Sequence, residues 1–463
     1  MVDVLLINSN IPSSLITIPN VPLGIAQLAS CLEKEGISVD ILDLDLVDFD
    51  KEKALEKKLR LGPKIVGISS SSISIPEAVN IARKVKTLTN AVTIIGGYHV
   101  RGDPNFINKF NNMFDYELVG EGEISFTNFV KKVLKNQMPN ERVIFGKPLK
   151  DIERLPFPAY HLLDMNKYRR ASEMIVMSSR GCPYTCFFCC SSRREVRYRK
   201  PKTFVEELIL LKEKYKIKKF QFSDENFTIN KKHARNVCLE ILKEKIDLKW
   251  RFQTRCNLID KKTFEIAKKS GCGLVQFGVE TLSENIQKAI KKNITLNDVK
   301  MAVKLCKELG LKVGLNLMFG LPEERKIDLK NSFYILRELN PDYVWVSISI
   351  PYPGTELFEL AVKDGLDKEI WNRYARGETQ NIPIFLNRNV KKIYYSYYFT
   401  RIFLSFPSIP LINWLLVNNV RILSPNFSTF IKKIMKLISP FTKISSEKTL
   451  MLLNRFDRWE YSK

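Results

Sequence analysis

Short apolar runs alternate with helical patterns twice along this chain, and a proline-bearing stretch separates the two series. In the first series the pattern predicts strands at residues 4–8, 38–42, 65–69, 92–95 and 116–119, with helical periodicity at 23–34, 51–60, 77–86 and 125–134. In the second, strands fall at 174–178, 219–222, 249–253, 274–277, 312–317 and 343–349, with helices such as 205–214, 233–243 and 296–309 between them. Strands alternating with helices imply parallel sheets with helices packed on them. The expected fold class is therefore α/β. A doubly wound, Rossmann-like parallel sheet occupies residues 1–140, and a connector follows over 141–172, where Pro148, Pro156 and Pro158 oppose a continuous helix. A (β/α)6 partial TIM barrel spans 173–370, and a mainly helical C-terminal region spans 371–463. In both folds the ligands sit at the carboxyl ends of the strands, so the strand ends are where chemistry is sought.

A chain of 463 residues exceeds one compact domain, and 45% hydrophobic residues supply the cores. Lys and Arg number 74 against 50 Asp and Glu. That excess favours anionic partners (nucleic acid, phosphorylated substrates or a membrane surface), although a solvated basic surface gives the same balance. Four of the nine cysteines fall within residues 182–190 and the rest are scattered, which does not read as a secreted disulfide framework. The opening MVDVLLINSN lacks the pattern of a signal peptide, so the expected compartment is the cytoplasm.

The first barrel strand runs into Arg180-Gly181-Cys182-Pro183-Tyr184-Thr185-Cys186-Phe187-Phe188-Cys189, a C-x3-C-x2-C spacing. Three thiolates on one loop hold three irons of a cubane and leave the fourth iron for a small-molecule chelator. Zinc would ask for a second pair of ligands at matching spacing, and none is present. Phe187 and Phe188 suit a shield against water, and Cys190 lies off the pattern. The metal ligands expected are Cys182, Cys186 and Cys189.

This loop resembles the cluster loop of the radical SAM superfamily, with an aromatic residue, Phe188, before the last cysteine. The resemblance implies a [4Fe–4S] cluster that binds S-adenosylmethionine (SAM) at its open iron and cleaves it to a 5′-deoxyadenosyl radical. Further strand-end motifs match in order. Phe222-Ser223-Asp224-Glu225-Asn226-Phe227 resembles the acidic motif that holds the SAM amino group; the same acids could instead cap the following helix. Arg255 closes the next strand, near the SAM carboxylate in this reading, and Glu280 is the implied ribose contact. The segment containing Asn316, Met318 and Gly320 resembles the one that packs against adenine, and Phe188 joins the implied SAM contacts.

The first domain resembles the cobalamin-binding domain that precedes many radical SAM barrels. The resemblance rests on Pro22-Leu23-Gly24, Ser69-Ser70, Gly96-Gly97-Tyr98-His99 and Gly120-Glu121-Gly122-Glu123. It implies cobalamin contacts at Asn10, Pro22, Leu23, Gly24, Ser69, Ser70, Gly96, Gly97, His99, Gly120, Glu121 and Glu123. The Asp-x-His-x-x-Gly element that gives cobalt a histidine in cobalamin-dependent mutases is absent; Asn8-Ser9-Asn10-Ile11-Pro12 stands in its place. His99 is read beside the corrin or its tail, or as a hydrogen-bonded histidine at a helix start, and His161 and His233 are read as structural.

Residues 391–463 carry twelve Lys or Arg against three Asp or Glu, among apolar runs too short to span a bilayer. They suit docking on anionic lipid headgroups, or covering the barrel and its substrate pocket. The basic run Arg193, Arg194, Arg197, Arg199, Lys200 and Lys202 suits a phosphorylated substrate or an electron donor. No RNA-binding module is appended, so nucleic acid ranks last. The leading expectation is an enzyme that methylates an unactivated carbon of a small or lipid-like substrate, served by a reductant such as flavodoxin or ferredoxin. The alternatives are C–C bond formation or ring closure without methyl transfer, and a non-enzymatic cobalamin or redox sensor.

Overall fold

The strand β1, Val4–Asn8, is buried on both faces, with Val4, Leu5, Leu6 and Ile7 each at most 2% exposed. Side chains alternate across a strand, so two separate cores must meet here. Leu5 and Ile7 pack toward the helix Ile75–Leu88; Val4 and Leu6 pack toward the helices Leu23–Lys34 and Ser125–Leu134. Strands β2 (Val39–Asp43) and β3 (Ile65–Ser69) flank β1 in parallel, pairing Val4 with Val39 on one side and Ile65 on the other. With β4 (Val92–Gly96), β5 (Tyr116–Gly120) and β6 (Val143–Gly146) the order is β2-β1-β3-β4-β5-β6. The order reverses at β1, which opens a crevice at the strand ends there. The computed structural model describes residues 2–9, 20–47, 50–110, 112–171, 173–191 and 194–406.

The doubly wound expectation holds, with one addition. β6 lies where a connector was expected, pairing Glu117 to Gly120 of β5 with Val143 to Gly146. Four residues suffice for an edge strand, which needs a partner on one side only.

The second sheet is built from β7 (Met174–Val176), β10 (Lys219–Phe222), β11 (Lys249–Thr254), β12 (Cys272–Glu280), β13 (Lys312–Phe319) and β14 (Tyr343–Ile348). All pairings are parallel, in the order β14-β13-β12-β11-β10-β7, the expected six-stranded open barrel. The helix-facing residues are apolar, among them Phe220, Phe222, Trp250, Phe252, Val313 and Val346. The alternate residues carry polar groups into the barrel. Arg251 Nη1 donates to Gln276 Oε1 at 2.9 Å, and Gln276 Nε2 donates to Asn316 Oδ1 at 3.2 Å. A closed TIM barrel fills this space with branched apolar side chains; a polar lining leaves it suited to a ligand.

Between β7 and β10 lies a two-stranded antiparallel ribbon, β8 (Ser179–Arg180) with β9 (Arg197–Tyr198). The cysteine loop is the excursion between them. After β14 the chain returns to the first domain through the helix Ile370–Ala375. There Trp371 joins the apolar core under Ile75–Leu88, and the Tyr374 hydroxyl donates to the Ile73 carbonyl at 2.9 Å. A second brace joins Gly102 to the turn after β14. A Cβ on Gly102 would stand 2.2 Å from the Pro353 carbonyl oxygen, so only glycine allows the approach. The helix Lys392–Ser405 then packs on the helix Lys326–Leu339. The basic apolar stretch beyond residue 406 lies outside the described residues.

Candidate active site between the two domains

The cysteine loop is pinched at its base. Gly181 has φ 113°, and a Cβ there would lie 2.1 Å from the Glu195 carbonyl oxygen. Arg194 N–H donates to the Cys182 carbonyl at 2.7 Å, closing the loop on itself. Each of the three sulfurs has a donor turned toward it. Asn226 Nδ2 donates to Cys182 Sγ at 3.4 Å, Arg255 Nη1 stands 3.7 Å from Cys186 Sγ, and Ser191 N–H donates to Cys189 Sγ at 3.3 Å. Such donors suit anionic sulfur and tune a cluster bound to it. Burial raises the Cys182 thiol and pushes the Cys189 thiol up to about 11, so metal binding must displace their protons. No three ligand-type side chains among the described residues close on one metal ion. A cubane does not require that, since each thiolate takes a different iron. The donor set fits a [4Fe–4S] cluster on Cys182, Cys186 and Cys189. Phe187 and Phe188 pack against Met318, Ile286, Ile290 and Leu321, forming the apolar shield on one side.

The strand-end residues divide into those facing a ligand space and those committed inside. Asp224 belongs to the second group and corrects the expectation of a direct contact to the SAM ammonium. It is fully buried, and its carboxylate accepts from Ser178 N–H at 2.8 Å, Ser178 Oγ at 2.7 Å and Ser179 Oγ at 2.5 Å. Burial raises its pKa to about 6 against the pull of those serines. It fixes the strand leading to the cysteines. Glu225 stays on the cavity wall, accepting from Gly181 N–H at 3.1 Å and from Arg194 at 3.0 Å. Arg255 is 3% exposed, stacks over the Tyr184 ring at 3.8 Å and donates to the Lys292 carbonyl.

Glu280 has φ 68° where the β12–β13 register shifts, a conformation costly for a side-chain-bearing residue and typical of ligand sites. It accepts from Lys292 Nζ at 2.8 Å, and Lys292 is itself only 7% exposed. Asn316 takes part in the polar ladder, and Met318 lies on the Phe187–Phe188 shield. The space that a side chain would take at Gly320 is crossed by the Phe385 carbonyl, so this glycine serves backbone packing as well. Sequence reasoning missed Lys292, for which no local signal exists. It also missed Asn226, which lay inside the quoted motif.

A cavity of about 800 Å³ joins the two domains. Leu23, Gly24, Ser69, Gly96, Gly97, Gly120, Glu121 and Glu123 line it from the first domain, and Arg180, Ser223, Glu225 and Gln253 from the barrel. An apolar branch runs under the first sheet between Leu6, Leu28, Ile94, Leu118 and Phe126. Tyr98 and Phe145 lie on the wall more than half exposed, as aromatic faces that a large ligand would cover. These are features that a corrinoid with a nucleotide tail fits. Of the other four expected contacts, three stand elsewhere and one is not described. Asn10 lies outside the described residues. Pro22 caps the helix Leu23–Lys34 and is not on the wall. Ser70 is 3% exposed and bonded to Ser71 O and Ser74 Oγ. His99 is fully buried away from the cavity, with Nδ1 3.1 Å from Ser72 Oγ and its ring against Phe106 and Trp371. The turn that brings Gly97 to the wall points the next-but-one side chain inward.

A doubly wound sheet whose strand ends face a three-cysteine loop across one cavity defines a two-domain enzyme in which a sheet-bound cofactor meets a cluster. The model of the Radical SAM superfamily matches residues 176–333, and that of the B12 binding domain matches residues 18–130. An uncharacterized methyltransferase of Pyrococcus horikoshii is 31% identical over 405 residues, covering 81% of this chain and 87% of that protein. The anaerobic magnesium-protoporphyrin IX monomethyl ester cyclase of Rubrivivax gelatinosus is 27% identical over 368 residues, 73% of this chain and 66% of its own. The cobalamin-dependent S-adenosylmethionine radical enzyme OxsB, solved with aqua-cobalamin and S-adenosylmethionine bound, shares the fold. Its TM-score is 0.72 at 16% identity, over 99% of this chain and 71% of that one. The chain belongs to the radical SAM superfamily, among the members that carry a B12-binding domain. It is an enzyme of that family, with a [4Fe–4S] cluster, SAM and cobalamin as cofactors.

Proposed function

We propose that this enzyme transfers a methyl group to an unactivated carbon of a small or lipid-like substrate held between the barrel and the cobalamin domain. The observation that carries the reading is the shared cavity: Gly96 and Gly120 at the first sheet's strand ends line the same space as Arg180 and Glu225, which border the cysteine loop. When bound, the cluster with SAM supplies hydrogen abstraction and the corrinoid supplies a transferable methyl group. The chain's own residues position and exclude water. Cys182, Cys186 and Cys189 hold the cluster, and Phe188 and Met318 keep one side dry. Glu225, Glu280 and Asn316 would hold SAM's polar groups, while Arg255 fastens the loop. Leu23, Gly24, Ser69, Gly96, Gly97, Gly120, Glu121 and Glu123 wall the corrinoid space.

Anaerobic reconstitution with iron, sulfide and hydroxocobalamin, then SAM bearing a CD3 group and a strong reductant, tests the reading. Expected are retained cobalamin, 5′-deoxyadenosine and a product heavier by the labelled methyl. Likeness to the cyclase favours a second reading, C–C bond formation without methyl transfer, in which 5′-deoxyadenosine forms and no label moves. Loss of 5′-deoxyadenosine under all conditions would sink both and favour a sensor. The reductant in the cell would be a low-potential protein such as flavodoxin or ferredoxin. No helix among the described residues is long and apolar enough to cross a membrane. The composition of residues 391–463 supports peripheral contact with anionic lipid in the cytoplasm. Liposome co-sedimentation, compared with a chain ending at residue 406, tests that contact.

A further inference from the structure

Four arginines line the interdomain cavity: Arg101, Arg180, Arg194 and Arg199. Three have a carboxylate of their own. Arg180 meets Glu123 at 2.6 Å, Arg194 meets Glu225 at 3.0 Å, and Arg199 pairs with Glu207. The one remaining glutamate on the wall, Glu121, accepts from Arg197 at 2.8 and 2.5 Å and is also 3.5 Å from Arg180. Among the described residues Arg101 has neither an ion pair nor a hydrogen bond, although it is half-buried. Burial, and then repulsion from Arg194, pull its pKa below the usual arginine range. Its place is not an accident of a loose side chain's stem. It precedes Gly102, whose backbone is locked on Pro353, and follows the wall residue Tyr98 in one short helix, Tyr98–Gly102.

A half-buried guanidinium near a second arginine, with each glutamate on the cavity wall among the described residues already paired with another arginine, is suited to bind an oxyanion through several charge-assisted hydrogen bonds. We propose that Arg101 is an oxyanion-binding residue, taking a phosphate or carboxylate oxygen of a ligand lying between the two domains. For the ligand's place this rests on the cobalamin reading above. Two sources offer that chemistry: the phosphate in the nucleotide loop of the corrinoid, and an anionic group on the substrate.

The test uses the full chain with its cluster reconstituted, as wild type, Arg101→Met and Arg101→Lys, matched by far-UV circular dichroism and cluster absorbance. One arm titrates hydroxocobalamin and diaquacobinamide, which lacks the nucleotide loop and its phosphate. A second arm follows Tm of the cobalamin-loaded protein as inorganic phosphate is added. If Arg101→Met weakens cobalamin about ten- to a hundredfold, leaves cobinamide unchanged and is partly rescued by lysine, the corrinoid phosphate is the ligand. If both corrinoids bind equally well but phosphate raises Tm only in the wild type, the anion belongs to the substrate. If Arg101→Met changes neither arm, the proposal is overturned. A wild type that retains no corrinoid refutes the cobalamin reading alone. The phosphate arm, run on the cluster-loaded chain, then decides Arg101 by itself: a Tm rise lost in Arg101→Met supports it, and no difference overturns it.

Discussion

Arg180, two residues before Cys182, reaches across the domain boundary to Glu123, Nη1 to Oε1 at 2.6 Å, with only 16% and 8% of the two side chains exposed. The cysteine loop is thus fastened by the first domain, through Arg180 to Glu123 and through Arg197 to Glu121. Glu123→Gln leaves a mostly buried guanidinium short of charge and is expected to cost about 2–3 kcal/mol. Differential scanning calorimetry should show a lowered transition, and iron and sulfide analysis should show a smaller cluster content. Normal iron content with normal stability would mean that the clamp is idle.

Cys186→Ala is expected to abolish both the visible absorbance of the cluster and the formation of 5′-deoxyadenosine, because a three-point site with one point gone cannot hold a cubane. Cys190→Ala, one residue beyond Cys189, is expected to keep both. Equal loss in the two variants would require a different ligand set.

Gly181→Ala forces a Cβ to within 2.1 Å of the Glu195 carbonyl oxygen at a φ of 113°. The base of the loop must then open, at a cost of about 2–3 kcal/mol. Chemical denaturation should register the loss, and reconstitution should give substoichiometric iron.

His99 sets a pH dependence with a definite sign. Burial, aided by Lys109, pushes its pKa from an ordinary 6.5 down to about 3, so it is neutral in the folded chain. The unfolded chain protonates this imidazole near pH 6.5 and binds the extra proton. Its contribution is therefore complete above pH 6.5 and is lost as pH falls toward 3, by at most about 1.4 kcal/mol per pH unit. His99→Phe, which keeps an aromatic ring beside Phe106 and Trp371, should flatten that limb in urea melts between pH 7.5 and 5. An unchanged slope would show that the ring is not the buried neutral group.

The two parallel sheets could be read from the alternation of short apolar runs and helices, because strands buried on both faces, such as Val4–Asn8, leave an unbroken apolar signature. Val143–Gly146 escaped because an edge strand of four residues, with Pro148 close behind, carries no periodicity. The return of Trp371 to the first domain escaped because long-range docking has no local mark. At the site, the cysteine spacing is a local constraint and was legible. Lys292, Arg180 and Arg101 acquire meaning only from what the fold sets beside them. His99 and Asp224 were misassigned for one reason: a motif at a strand end fixes where the backbone goes, and the side chain of an adjacent position can still turn into the core.

The contact between Gly102 and the Pro353 carbonyl has a consequence for building chimaeras. The helix Tyr98–Gly102 and the turn after β14 are about 250 residues apart in sequence, yet each is shaped to the other's bare backbone. Exchanging the cobalamin domain with that of a relative would therefore also require the matching Pro353-Gly354 turn. What is inherited as a unit here is a seam, made of two distant pieces of chain, and a cut at the boundary between domains would divide it.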